Sequence, residues 1–256
     1  MNNIDLLKNL YLKSSKHSNY QLIPECLNNK LMFENLNIKS RFERERMEYI
    51  ISNLDINKKK ILDIGGNSGY FTFELINRGA KIVDLYEGNK EHSDFVSLAA
   101  EVLSFNSSIT VFNKYVDFKS NFKQISYDIT LLLNVLHHIG DDYGNKEISL
   151  TNAKKSIVDS LNFMADKTKY LVFQLGFNWK GNTNLPLFIN GTKKEVINFV
   201  SESISEKWEI KNIGIAEKET DRFFYRQLND NNIIRNNELG EFLNRPIFIL
   251  KSKIQN

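Results

Sequence analysis

The segment ILDIGGNSGYF, residues 61–71, constrains the fold of this chain more than any other stretch. A short apolar run closes on Asp63 and Ile64, glycines follow at 65, 66 and 69, and a helical pattern opens at Tyr70. Glycine permits positive φ and lets the backbone approach a ligand closely, while the first turn of a helix leaves N–H groups without intrahelical partners. Strand, glycine turn and helix in that order predict a ligand-binding βα unit. The rhythm then repeats. AKIVDLYE reads as a second strand, a helix follows with Phe95, Leu98, Ala99, Val102 and Leu103 on one face, and ITVFNKYVD reads as a third strand. YDITLLLNVL predicts a strand, 147–165 a helix, KYLVFQLGF a strand, 193–205 a helix, WEIKNIGIAE a strand, 229–237 an irregular stretch and RPIFILKSK a last strand. Alternation at this spacing predicts a Rossmann-like, doubly wound α/β fold. Its sheet is expected to be mostly parallel and seven-stranded, with an antiparallel C-terminal strand. Residues 1–57 carry apolar side chains at helical spacing and predict an N-terminal helical cap, leaving 58–256 as the α/β domain.

Composition narrows the function classes. Lys+Arg is 34 against Asp+Glu 31, a net charge of +3, which is too small to argue for wrapping a polyphosphate backbone. Cys26 is the single cysteine, so no intrachain disulfide forms and a reducing, cytoplasmic compartment is expected. The first twenty residues hold no unbroken apolar run, and no later stretch approaches a membrane span.

The ligand of the glycine turn follows from charge. A dinucleotide turn of the form G-x-G-x-x-G is interrupted here, and Asp63 would repel a pyrophosphate. A cofactor bearing a sulfonium and an ammonium suits an acid at that place. The sequence resembles the class I S-adenosylmethionine-dependent methyltransferases. Their first motif, acid-x-G-x-G-x-G, matches Asp63, Gly65 and Gly69 in DIGGNSG, with Asn67 at the middle glycine. The resemblance implies S-adenosyl-L-methionine as cofactor, held by Asp63, Gly65, Gly66, Asn67, Gly69 and Tyr70. It further implies Glu87 as the ribose-binding acid, roughly 20 residues past the turn, with Asp84 as the weaker alternative. Asp117 would face the adenine with Phe118 as ring neighbour, and Asn134 would line the cleft at the end of the fourth strand.

His137 and His138 are the candidate catalytic bases, since imidazole is readily poised to accept a proton near neutral pH; the alternative is a histidine that packs beside the cofactor and fixes the loop. His137, His138 and Asp141 suggest no further metal ligand, so no metal is expected. Trp179 and Lys180 lie in a loop after the fifth strand, where open α/β sheets place ligands. Arg222, Tyr225 and Arg226 in DRFFYRQ, together with Arg46, offer an anion-binding set. The alternating Glu43, Arg44, Glu45 and Arg46 otherwise read as a charged helix face.

Amino-group methylation of bases or glutamine uses a D/N-P-P-Y/F motif after the fourth strand, and this chain has NVLH there. The expected reaction is O-methylation of a small, anionic or sugar-linked metabolite. More loosely, Tyr20, Pro24 and Arg46 before the first motif, with FNWKGN after the fifth strand, resemble methyltransferases of bacterial capsular polysaccharide modification, including the O-methyl phosphoramidate group. The alternatives are an RNA methyltransferase, a non-catalytic protein that keeps the fold, and, third, a dehydrogenase. No membrane or nucleic-acid partner is expected, and a homodimer is left open.

Overall fold

The computed structural model describes residues 2–13, 18, 20–31, 38, 40–119 and 126–255. The chain divides into two compact units, residues 1–116 and 117–256. Each is described by itself.

The first unit opens with three helices, α1 (Asn3–Leu12), α2 (Glu25–Leu31) and α3 (Glu43–Asn53). Then β1 (Lys60–Ile64), α4 (Tyr70–Asn77), β2 (Ile82–Tyr86), α5 (Lys90–Val102) and β3 (Ile109–Phe112) alternate. The strands run parallel in the order β3-β2-β1, with Asp63 opposite Leu85 and Leu85 opposite Val111. Parallel strands need crossovers, and α4 and α5 supply them. Leu7, Tyr11 and Leu27 from the N-terminal helices share one buried cluster with Phe73, Leu85, Phe95 and Val96. Each such side chain contributes about 1.5–3 kcal/mol when fully buried, so the amphipathic N-terminal pattern is explained by packing onto this core. The third strand is shorter than its sequence suggested. It ends at Phe112 because Asn113 turns its side-chain amide to the main-chain oxygen of Glu87, at 3.2 Å.

The second unit holds β4 (Tyr127–Leu133), α6 (Leu150–Met164), β5 (Thr168–Gln174), α7 (Lys193–Ile204), β6 (Trp208–Glu219), β7 (Arg222–Gln227), α8 (Gly240–Leu243) and β8 (Ile247–Ser252). Its strand order is β4-β5-β8-β6-β7. β4 and β5 are parallel, and β8 is antiparallel to both β5 and β6, as the C-terminal strand was expected to be. The count differs: the described residues form eight strands, not seven, because DRFFYRQ is an additional antiparallel edge strand hairpinned to β6 through Thr220 at φ 55°. α7 starts in a capping box in which Thr192 and Glu195 satisfy each other's backbone N–H groups. Among the described residues no helix is long and apolar enough to cross a membrane.

Candidate functional site

In the first unit the glycine turn is a run of left-handed backbone: Gly65 has φ 70°, Asn67 φ 54° and Gly69 φ 81°. Asparagine is among the few side chains that tolerate this region, which explains how Asn67 replaces a glycine without changing the turn. Gly66 is required for space, since a Cβ there would lie 2.2 Å from a methyl of Leu85 and 2.8 Å from Oδ2 of Asp63. Glu87 follows β2 directly. Its carboxylate accepts the Asn67 N–H and the Asn89 N–H, both at 2.8 Å, and is only 8% exposed. Those two bonds fix an acid at the rim of the turn. Beyond it, the ring of Tyr115 lies flat against Gly88, where a Cβ would come within 2.3 Å.

Asp63 lies beneath the turn, 3% exposed, and accepts the Thr72 hydroxyl at 2.8 Å. Burial pushes its carboxyl up to about 7; the Thr72 bond opposes this, Glu87 adds to it and Arg46 opposes it. Arg46 is not on a solvated face. It and Glu43 are buried, 3.4 Å apart, with the guanidinium over the Phe71 ring at 4.9 Å, while Glu43 also accepts the Ser40 hydroxyl and the Arg41 N–H. The charged-face reading of residues 43–46 is therefore corrected for Glu43 and Arg46: removed from water, these two charges are paired with each other. Arg46 serves the interior beside Asp63. Tyr70 is buried as well, in edge-to-face contact with Phe71. One contact has no signal in the sequence pattern. The side-chain oxygen of Gln21 accepts the Ser68 hydroxyl and the Tyr70 N–H, each at 3.2 Å.

In the second unit, β4 ends because Asn134 adopts φ 61°. Its side-chain amide donates to Gln174 at 2.7 Å and its oxygen accepts from Arg245 at 2.9 Å, while Gln174 donates to the Arg245 main chain. Arg245 in turn pairs with Glu241, which accepts from Asn178. His137, 2% exposed, accepts the Gly176 N–H at Nδ1, 3.3 Å away, and its ring occupies the space a side chain at 176 would need. His138 is placed differently: its Nδ1 lies 3.2 Å from Oδ2 of Asp142. His138, Asp141 and Asp142 bring three potential ligand atoms within 4.8 Å of one another; the sequence points to His138 and Asp141 together with His137, and the structure has Asp142 in that third place.

Trp179 and Lys180 engage this same region. The indole N–H donates to the Ile139 carbonyl at 2.8 Å and the Lys180 ammonium to the Lys146 carbonyl at 2.9 Å, tying the loop after β5 to the loop after β4. The anion set of DRFFYRQ does not converge. Successive residues of a strand point to opposite faces, so Arg222 and Arg226 share a side that Tyr225 does not, and Arg226 is paired with Glu219 and Glu217. Asp117 is exposed and accepts the Lys119 N–H, and Phe118 makes an edge contact with Phe163.

Positive-φ backbone and a rim carboxylate, with Asp63 buried beneath the turn, form a donor and acceptor set that fits the ribose hydroxyls of an S-adenosyl cofactor. It does not suit a pyrophosphate.

No family model matches the chain, and no curated protein sequence does. Solved structures do match its fold. PH1948 from Pyrococcus horikoshii, provisionally assigned as an RNA methyltransferase, is 14% identical with a TM-score of 0.51, and the match covers 97% of each chain. The bifunctional kinase-methyltransferase WbdD is 13% identical with a TM-score of 0.59 over 96% of this chain; the match spans 46% of WbdD. The chain shares the α/β, Rossmann-like fold of these methyltransferases.

Proposed function

We propose that this chain is an S-adenosyl-L-methionine-dependent methyltransferase that O-methylates a small, sugar-linked or phosphorylated metabolite. The observation that carries the reading is Glu87, an acid clamped by the Asn67 and Asn89 N–H groups at the rim of a turn with three left-handed residues. Gly65, Asn67 and Gly69 would present backbone to the cofactor, Glu87 would take its ribose hydroxyls, and Asp63 would support the turn from below. When bound, the cofactor supplies a methyl carbon activated by a sulfonium. The protein then has to orient an acceptor oxygen and keep water out.

For a hydroxyl acceptor the chain supplies a base in His138. Asp142 beside Nδ1 orients the ring and stabilises its protonated form, and the hydroxyl proton passes to Nε2. His137 is better suited to holding the loop, since its Nδ1 is engaged by Gly176. The phosphorylated class of acceptor draws less support than its sugar-linked counterpart, because Lys180 and Arg226 are both bonded within the protein. An RNA acceptor is the second reading, favoured by the end-to-end match to PH1948 and opposed by the small net charge of +3.

The test is transfer of a labelled methyl group from S-adenosylmethionine into separated small-metabolite and RNA fractions of a cell extract. Base-stable label in the metabolite fraction, absent with His138→Gln, is the expected result. Label in RNA alone overturns the metabolite reading. Cofactor binding with no label in either fraction overturns catalysis.

A further inference from the structure

Gln21, shortly before α2, meets the glycine turn and lies in sequence between two buried anchors on the N-terminal helices. At one end Tyr11 is buried with its ring 5.6 Å from Phe95, and its hydroxyl donates to the Gln21 main-chain oxygen at 2.8 Å. At the other, Leu27 is fully buried in the same apolar cluster. Between these anchors the Gln21 side chain reaches the turn, where its oxygen accepts from the Ser68 hydroxyl and the Tyr70 N–H. Tyr70 is the first residue of α4, and the preceding Gly69 has no side chain with which to cap the helix. Gln21 therefore satisfies, from 48 residues upstream of Gly69, the first of the N–H groups that the start of α4 leaves without an intrahelical partner. Leu10, Tyr11, Asn67, Ser68, His92 and Phe95 line a small cavity alongside.

Both Gln21 bonds measure 3.2 Å, the long end for N–H···O and beyond the usual range for O–H···O. They are neutral. A carboxylate at the same donors would make charge-assisted bonds roughly twice as strong and would gain from the helix N-terminus. The S-adenosyl cofactor carries one carboxylate, on its amino-acid end. We propose that Gln21 is a displaceable stand-in for that group: its amide oxygen occupies the Ser68 and Tyr70 donors until the cofactor's carboxylate takes them. This rests on the cofactor reading above. While the Gln21 amide oxygen accepts from these two donors, a carboxylate cannot accept from them, so Gln21 and cofactor compete for the same donors.

The experiment is calorimetric titration of the wild type, Gln21→Ala and Gln21→Glu with two ligands. S-adenosylhomocysteine has the carboxylate, and 5′-methylthioadenosine keeps the nucleoside and thioether without it. Removing the competitor in Gln21→Ala should tighten S-adenosylhomocysteine about 5-fold, equivalent to about 1 kcal/mol, and leave methylthioadenosine unchanged. Gln21→Glu, a stronger occupant, should weaken S-adenosylhomocysteine only. If Gln21→Ala leaves S-adenosylhomocysteine unchanged or weaker, or shifts both ligands equally, Gln21 is a structural clamp and the proposal falls while the cofactor reading stands. If wild type binds neither ligand, both fall.

Discussion

The two units handle polar groups in opposite ways. In the first, the polar groups around the glycine turn are set by main chain and local sequence: left-handed backbone at 65, 67 and 69, with Glu87 fixed by N–H groups only two and twenty residues away. In the second, the polar side chains after β4 and β5 mostly bond one another. Asn134, Gln174, Arg245, Glu241 and Asn178 form one chain of contacts, and Trp179 and Lys180 tie two loops together. The glycine turn tolerates little change, since a Cβ at Gly66 would meet Leu85 and Asp63. The loops after β4 and β5 are a scaffold of interlocked side chains, and the proposed base His138, beside Asp142, stands among them.

The sharpest test of this contrast is His138→Gln. Loss of a general base lowers turnover about 10²–10⁴-fold, and S-adenosylhomocysteine affinity should be unchanged because the first unit is untouched. Equal loss of both would erase the distinction between the units. Next in size is Asp63→Asn. The folded carboxyl sits near 7 against an ordinary value of 3.8, so between these values the folded state holds a proton that the unfolded state has lost. Stability therefore falls as pH rises from about 4 to about 7 and is level above that. In Asp63→Asn that decline should flatten, and melting temperature at pH 8 should exceed the wild type's. A decline of unchanged slope would assign it to other groups.

Gly66→Ala forces a side chain into the space held by Leu85 and Asp63, at a cost of about 1–3 kcal/mol, measurable by urea unfolding. Trp179→Phe keeps the ring but removes the indole N–H from the Ile139 carbonyl and should cost about 1 kcal/mol. Arg226→Ala marks the floor. Its exposed pairing with Glu219 and Glu217 should contribute less than about 1 kcal/mol, and turnover should not change. A large loss of turnover would restore β7 as an acceptor-binding strand.

What was legible in the sequence divides along the same line. The turn and Glu87 could be read because glycine, a flanking strand and a spacing of about 20 residues are local signals. Gln21 could not, because its partners lie at 68 and 70 and no periodicity links them. Asn134 was singled out, but its partner Arg245 is 111 residues away and is delivered by the pairing of β8 with β5. In β7 the charges of Arg222 and Arg226 read as an anion-binding cluster, although their alternation with Phe223 and Tyr225 equally fits an edge strand. Glu43 and Arg46 at i, i+3 have the spacing of a surface pair, and only the packing of α3 shows them to be interior.

The central claim is that Glu87 and the glycine turn hold an S-adenosyl cofactor. Titration of the wild type and Glu87→Ala with S-adenosylhomocysteine tests it most directly. Wild type should bind, and Glu87→Ala, losing hydrogen bonds from a charged acceptor, should bind about 10- to 100-fold more weakly with its fold intact by circular dichroism. Equal affinity in the two proteins, or no binding to the wild type, would contradict the account.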